Sequence, residues 1–517
     1  MNVAEMVARS AFRHPRRDAV VDPVSGRRLT FATLDKRVAR LAEGLLGLEG
    51  VSRGDRVAIL ARNAAEYVEL LLAAGRSGLI AQPLNWRLAL DELARVVADG
   101  DPRVVVCSRD FASEAEALQQ RLDIPHWLTF APGEDSPYED LIARASGTAP
   151  IPEVGDDDPF FILYTGGTTG VPKGALHTHR SAFACMVNQT VGERIAPGAV
   201  YLLLGQMFHI PVVLALNFLT HGAPLVLLTF DAKAALAVIE QERVTNFLGI
   251  TTMLNHMMAV PDFDSYDLSS LRLIQYGGGP MPEAVVREAL ARFPCELTQG
   301  YGQTEGGTMT FLPPEAHREA LAGRNTHRLR SCGLESYLTS VRVVDPETGQ
   351  PVPRDRTAVG EIAVRSEANM AGYWRKPDLT AETLRDGWLW TGDLATWDED
   401  GFVYIVDRRK DMIITGGENV YPAQVEAALH RHPAVLEAAV FGVPDDEWGE
   451  SVKAVVVLRE GMTATEQELI DLCRRHLASY MKPRSIDFVR ELPKSPTGKV
   501  LKRELRAPYW EGRERRV

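Results

Sequence analysis

The segment Phe161-Ile162-Leu163-Tyr164-Thr165-Gly166-Gly167-Thr168-Thr169-Gly170-Val171-Pro172-Lys173-Gly174 runs an apolar strand into a loop of glycine and threonine that ends on a lysine. Glycine lets backbone N–H groups approach an anion closely, threonine hydroxyls add donors, and lysine adds charge, so the segment reads as a phosphate cradle. It is not a Walker A loop, because Gly174 rather than Ser or Thr follows Lys173. A plain glycine-rich turn at a strand end has the same composition, and the loop by itself does not separate the two. Further segments narrow the choice. Gln275-Tyr276-Gly277-Gly278-Gly279-Pro280 follows an apolar strand and offers bare backbone to a flat ring. Gly300-Tyr301-Gly302-Gln303-Thr304-Glu305 places an aromatic, a hydroxyl and a carboxylate close together, and Trp390-Thr391-Gly392-Asp393 puts one acid in a turn. Pro493-Lys494-Ser495-Pro496-Thr497-Gly498-Lys499 puts a lysine in a tight loop near the C-terminus.

Taken together and in this order, these segments resemble those of the adenylate-forming superfamily of acyl-CoA synthetases, carrier-domain adenylation domains and luciferases. The resemblance runs from about residue 8 to residue 505, and Gly416-Gly417-Glu418-Asn419-Val420-Tyr421-Pro422 is most similar to bacterial fatty-acyl and aryl CoA ligases. It implies an ATP-dependent activation of a carboxylic acid to an acyl-adenylate, then transfer to the thiol of coenzyme A with release of AMP and pyrophosphate. It also implies the residue roles. Thr165, Gly166, Gly167, Thr168, Thr169, Gly170 and Lys173 would cradle the β- and γ-phosphates of ATP. Gly277, Gly278 and Gly279 would lie on one face of adenine, with Tyr301 and Gly302 on the other side. Thr304 would contact the α-phosphate and Glu305 would help hold Mg²⁺. Asp393 and Arg408 would take the ribose hydroxyls. Lys499 would bridge the substrate carboxylate and the nucleotide. Lys410 matches a hinge, Gly416 and Gly417 a tunnel for the coenzyme A thiol, and His209, Thr252 and Gly277 an acyl pocket.

The chemistry accounts for the residue types. A carboxylate attacking ATP brings two anions together, so cations must offset their repulsion and the charge that develops on pyrophosphate. The two half-reactions need different surroundings, which a hinged domain can supply in turn. Two departures from the family pattern stand out. Gly166 occupies a position where the family usually has Ser, removing one hydroxyl donor and implying a weaker hold on pyrophosphate. In the gate region Gln206 replaces a usual Pro and Val213 lies near an expected Gly, while Gly306 and Gly307 follow Glu305; together they imply a reshaped acyl pocket. Three alternatives stay open: transfer to a carrier-protein phosphopantetheine, a nucleotide-binding protein that has lost catalysis, and a luciferase-type oxidase. The absence of an Asp at Phe208-His209 argues against an amino-acid substrate.

The elements that must position these residues are legible as patterns. In the first 150 residues short apolar strands (57–60, 104–107) alternate with helical periodicity (66–74), which predicts an α/β domain with a largely parallel sheet. From about residue 338 short alternating strands follow (340–344, 361–365, 402–406), predicting a small barrel-like subdomain. After the charged run Asp407-Arg408-Arg409-Lys410-Asp411 come a helix at 422–430, strands at 435–442 and 452–458 and a helix at 465–478. The expected division is an adenylation domain over 1–409 and a small, mobile α+β domain over 410–517 that carries the catalytic lysine. The chain has 517 residues, 45% hydrophobic and 24% charged, as expected of a globular protein with more than one domain. A net charge of -12 argues against a nucleic-acid partner. Five scattered cysteines without a CxxC pair point to neither a zinc site nor a disulfide framework. With an N-terminus unlike a signal peptide, they predict a cytoplasmic protein. The uncharged stretch between Arg194 and Asp231 is broken by Gln206, His209, Pro211, Asn217, His221 and Pro224, and reads as buried strands and a helix rather than a membrane span. Homodimerisation is open.

Overall fold

The computed structural model describes residues 2–165, 172–279, 281–494 and 500–511. The chain forms two compact units, one made of Met1–Val341 and Val364–Leu389, the other of Arg342–Ala363 and Trp390–Val517.

The first unit is built on two sheets. A nine-stranded sheet has the order Leu334–Glu335, Gly307–Leu312, Glu296–Gln303, Leu273–Gly277, Asn246–Gly249, Tyr201–Leu203, Leu225–Leu227, Asp18–Asp22 and Arg27–Thr30. Its inner strands are parallel and antiparallel strands close its edges. A seven-stranded sheet runs Gly372–Tyr373, Lys173–Thr178, Pro159–Thr165, Ile80–Pro83, Arg56–Leu60, Val104–Ser108 and His126–Phe130, parallel from Pro159–Thr165 onward. The predicted strands at 57–60 and 104–107 are central here, buried at every position.

Helices Ala65–Ser77 and Pro211–Thr220 are buried nearly all round. A helix without a polar face must be covered on both sides. One continuous core cluster joins them to inward residues of both sheets, including Tyr201, Leu203 and Leu225 from one and Val57, Ile59 and Phe161 from the other. They are thus a shared middle layer. Separate clusters cover the outer faces: Ala235, Leu254 and Val286 on the nine-stranded sheet, Leu93, Val97 and Leu118 on the seven-stranded one. The uncharged stretch after Arg194 resolves into the middle-layer helix and two strands, as expected. No helix among the described residues is long and apolar enough to cross a membrane.

The barrel-like subdomain is a curled five-stranded antiparallel sheet, in which Trp388–Trp397 pairs with both Leu384–Arg385 and Val403–Arg408. The C-terminal α+β part has its own sheet, in the order Glu418–Val420, Ile413–Thr415, Gly449–Leu458 and Val435–Asp445, with Ser485–Phe488 parallel to Gly449–Leu458. Helices Pro422–Leu429 and Glu466–His476 cover one face. Pro422 opens the first helix with a fixed φ, and Thr465 with Glu468 forms a capping box at the second.

Buried histidines give this fold an acid limit. Burial pushes His177, His179, His209 and His317 each down to about 4 from the ordinary 6.5. Each takes up a proton on unfolding in this window, so stability rises with pH between the two values and is lost as pH falls through it. The thermal midpoint should fall as pH drops from 6.5 towards 4, and His317→Gln should flatten that slope; an unaltered slope in the variant would contradict the assignment.

Candidate active site

The two strands that flank the expected phosphate loop in sequence, Pro159–Thr165 and Lys173–Thr178, pair as an antiparallel hairpin in which Thr165 faces Lys173 and Tyr164 faces Gly174. Gly166, Gly167, Thr168, Thr169 and Gly170 lie outside the described residues; Thr165 and Lys173 are the last described positions of the two strands. The hairpin is anchored through Tyr164. The Tyr164 hydroxyl donates to Asp99 at 2.8 Å, and Lys376 reaches the other carboxylate oxygen at 2.7 Å. A Cβ on Gly174 would lie 2.5 Å from the Ile162 side chain, so only glycine allows the strands to close there.

The adenine-side glycines follow from strand pairing. Leu273–Gly277 runs parallel to Glu296–Gln303 with Gly277 opposite Gly300, and a Cβ on Gly277 would fall 2.2 Å from the Gly300 carbonyl oxygen. Gly278 has φ +76°, and a Cβ on Gly279 would meet nothing within 4 Å. The result is a bare backbone ledge at the end of a parallel strand. Tyr301 lies on the neighbouring strand opposite Thr310. That strand turns back at once: Gly306 N–H donates to the Gln303 carbonyl at 3.2 Å, so Thr304 and Glu305 are the two central residues of a tight turn. A Cβ on Gly302 would sit 1.8 Å from the Gly307 carbonyl oxygen, which makes glycine obligatory there. Gly306 is likewise enclosed, its virtual Cβ falling 2.4 Å from Met309.

Two residues that motif reasoning missed tie this turn to the phosphate hairpin. His177, on Lys173–Thr178, donates from Nε2 to the Thr304 carbonyl at 2.7 Å. Burial keeps its ring neutral, so Nδ1 is free to accept from Ser181 at 3.1 Å. Tyr373 donates its hydroxyl to Glu305 Oε1 at 2.8 Å. Its backbone pairs with the hairpin opposite Ala175, and the Lys173 ammonium stands over its ring, 5.9 Å from the centroid. Burial and the Glu305 charge push the Tyr373 hydroxyl up, so it remains a donor. Neither residue has a sequence signal: the partners are separated by 127 and 68 positions.

The acyl-pocket candidates lie at the carboxyl ends of successive parallel strands, where open α/β sheets bind ligands. His209 follows Tyr201–Leu203, Thr252 follows Asn246–Gly249 with its side chain exposed, and Gly277 ends Leu273–Gly277. Asn63 clamps the gate segment, donating to the Gly205 carbonyl at 2.8 Å and accepting from Met207 N–H at 3.1 Å. Gln206, the residue that departs from the family's Pro, accepts from the Trp86 indole at 3.0 Å. Phe208 stands edge-on to both Trp86 and His209. His209 Nε2 is shut off from solvent without a hydrogen-bond partner among the described residues, and burial holds the ring neutral at pH 7. An uncharged imidazole beside aromatic rings suits an apolar acyl group.

In the second unit Asp393 faces Arg408 across the antiparallel ladder, with Arg408 Nε 2.5 Å from a buried Asp393 oxygen. Glu361 fixes the flanking loops, accepting from Gly392 N–H and from Arg409, each at 3.0 Å. Lys410 sits in a short 3-10 turn, Arg409–Asp411. Gly416 and Gly417 both have positive φ in a hairpin, and a Cβ on Gly416 would strike the Trp448 ring at 2.5 Å. Lys499 lies outside the described residues.

Residues 7–374 match the family described as AMP-binding enzyme, and residues 424–499 match the AMP-binding enzyme C-terminal domain. A feruloyl-CoA synthase of Amycolatopsis sp is 40% identical over 94% of both chains. A long-chain-fatty-acid–CoA ligase of Mycobacterium tuberculosis, FadD13, is 36% identical over 98% of both. The ATP-bound structure of MatB from Rhodopseudomonas palustris superposes with a TM-score of 0.87 at 31% identity, covering 98% of this chain and 99% of that one.

The turn geometry carries its own prediction. Gly302→Ala should force the Thr304–Glu305 turn open and lower the rate of acyl-adenylate formation by roughly a hundredfold, as an ångström-scale misplacement does, whereas Gly279→Ala should leave the thermal midpoint of the protein unchanged. Pyrophosphate release by Gly302→Ala at the parent's rate would contradict this geometry.

Proposed function

We propose that this chain, which belongs to the AMP-binding enzyme family and is an AMP-forming carboxylate–CoA ligase, activates a bulky apolar acid, aryl or long-chain, through the residues named above. The observation that carries the residue assignment is the joining of the Thr304–Glu305 turn to the phosphate hairpin by His177 and Tyr373. That link puts a hydroxyl and a carboxylate beside the lysine that ends the phosphate loop.

In this reading Thr165, Lys173 and the intervening glycines and threonines hold the β- and γ-phosphates. The ledge at Gly277–Gly279 and the Tyr301 ring enclose adenine, and Asp393 and Arg408 take the ribose hydroxyls, a carboxylate being able to accept from two donors at once. Thr304 donates to the α-phosphate. A carboxylate and phosphate oxygens form a hard donor set suited to Mg²⁺, which readily completes its shell with water and substrate oxygens, so Glu305 fits this ion. When bound, the ion would offset charge on the phosphate oxygens. The substrate carboxylate oxygen attacks the α-phosphorus, the bond to the β-phosphate oxygen breaks, and pyrophosphate leaves; Lys173 and Lys499 stabilise the charge that develops. The coenzyme A thiol then attacks the acyl carbonyl and AMP departs. Gly416 and Gly417 would leave room for the pantetheine arm, and residues 410–517 would turn about Lys410 between the half-reactions. The neutral His209 gate and the names of the relatives support a bulky apolar acid. The five cysteines, all free, support a cytoplasmic setting.

A pyrophosphate-release screen over hydroxycinnamic, aryl-acetic and fatty acids with coenzyme A tests the substrate class; turnover confined to short or charged acids would contradict it. Lys499→Ala should lower acyl-adenylate formation by roughly a hundredfold or more, the size of a lost charge-stabilising group, and leave thioester formation from supplied acyl-adenylate near the parent rate. Lys410→Pro should show the reverse bias, and equal losses in both half-reactions for either variant would argue against alternation about residue 410.

A further inference from the structure

The mechanism above uses Lys173 and Glu305 as opposite charges with separate tasks, yet they share one partner. Tyr373 lies between them: its hydroxyl donates to Glu305 Oε1 at 2.8 Å, and its ring face takes the Lys173 ammonium at 5.9 Å from the centroid. A phenol can satisfy both charges while neutralising neither, since one is held by a hydrogen bond and the other by the ring quadrupole. A direct Lys173–Glu305 pair would instead spend the lysine on the carboxylate and leave the phosphates without it.

Tyr373 is itself held firmly. Its strand partner is Ala175, and its N–H donates to Thr380 Oγ1 at 2.9 Å. The Glu305 carbonyl accepts from Met370 N–H at 2.7 Å, which fixes the acidic turn to the same segment. With one lone pair of Oε1 engaged, the carboxylate is orientated and its remaining lone pairs are left for a cation. Outer partners of metal-binding carboxylates orient them in this way, and their loss lowers metal affinity by about 10- to 100-fold.

We propose that Tyr373 is a positioning residue that sets the Glu305 carboxylate for Mg²⁺ while holding Lys173 available to the phosphates. The inference rests on the reading that Glu305 receives the ion. The test uses Tyr373→Phe and Glu305→Gln in the full chain. For each variant the Mg²⁺ concentration for half-maximal pyrophosphate release is measured, and ATP affinity is measured by calorimetry with Mg²⁺ and with EDTA. Tyr373→Phe should raise the Mg²⁺ midpoint about tenfold or more and weaken ATP binding with Mg²⁺ but not in EDTA. An unmoved midpoint in Tyr373→Phe, with a shifted one in Glu305→Gln, overturns the tyrosine's role and leaves the Mg²⁺ assignment standing. No shift in Glu305→Gln overturns both. An equal loss of ATP affinity with and without Mg²⁺ in Tyr373→Phe also overturns the proposal, because it marks a general disturbance of the site. Thr380→Val, which removes the acceptor of the Tyr373 N–H, should move the midpoint in the same direction by a smaller factor, and carries the test should the phenylalanine variant fail to fold.

Discussion

Two negatively charged reactants have to meet, and the cations that permit the encounter must not be neutralised by the carboxylate placed beside them. In the first unit Lys173 closes a glycine–threonine loop and Glu305 sits in a tight turn on another sheet. The two sheets are brought into register by hydrogen bonds from His177 and Tyr373. Each cross-link is a donor on the phosphate side and a half-buried acceptor on the acidic turn, so their loss would leave the turn unanchored.

This explains why the middle layer matters to function. Helices Ala65–Ser77 and Pro211–Thr220 have no polar face to spare and are held between the sheets. The packed layer fixes the carboxyl ends of the parallel strands, and the glycine ledge, the acidic turn, the gate segment and Thr252 all stand on those ends. Where backbones approach too closely for a side chain, at Gly277 and Gly302, glycine is a steric requirement; at Gly279 it leaves open space instead. The same residue type therefore serves two purposes within a short distance.

Much of this was legible in the residues alone. Short apolar strands alternating with helical periodicity announced a parallel α/β unit, and Pro422 marked a helix start to the residue. The glycines at 277–279 read as bare backbone after an apolar strand, whereas the steric need for glycine at 277 and 302 came from strand pairing that no local spacing shows. Long-range partners were not legible. Asn63 reaches the gate segment and Trp86 reaches Gln206 from far along the chain, and Tyr373 lies in a two-residue strand too short to show periodicity. Such links depend on tertiary placement and leave no local spacing to read. Gln206 shows the consequence: as a departure from a family pattern it suggested only a changed pocket, whereas its acceptor role explains why an amide is useful beside an indole N–H.

The central claim is that this site joins a carboxylic acid to AMP before any thiol takes part. A single-turnover experiment with enzyme in excess, ATP, Mg²⁺ and hydroxycinnamic or long-chain acid, but no coenzyme A, tests it most directly through acid quenching and detection of the mixed anhydride. The account predicts that acyl-adenylate and pyrophosphate accumulate together, one for one, and that the adenylate is consumed when coenzyme A is added. Formation of acyl-CoA with ADP and phosphate, or no anhydride from an acid that is turned over in the complete system, would contradict it.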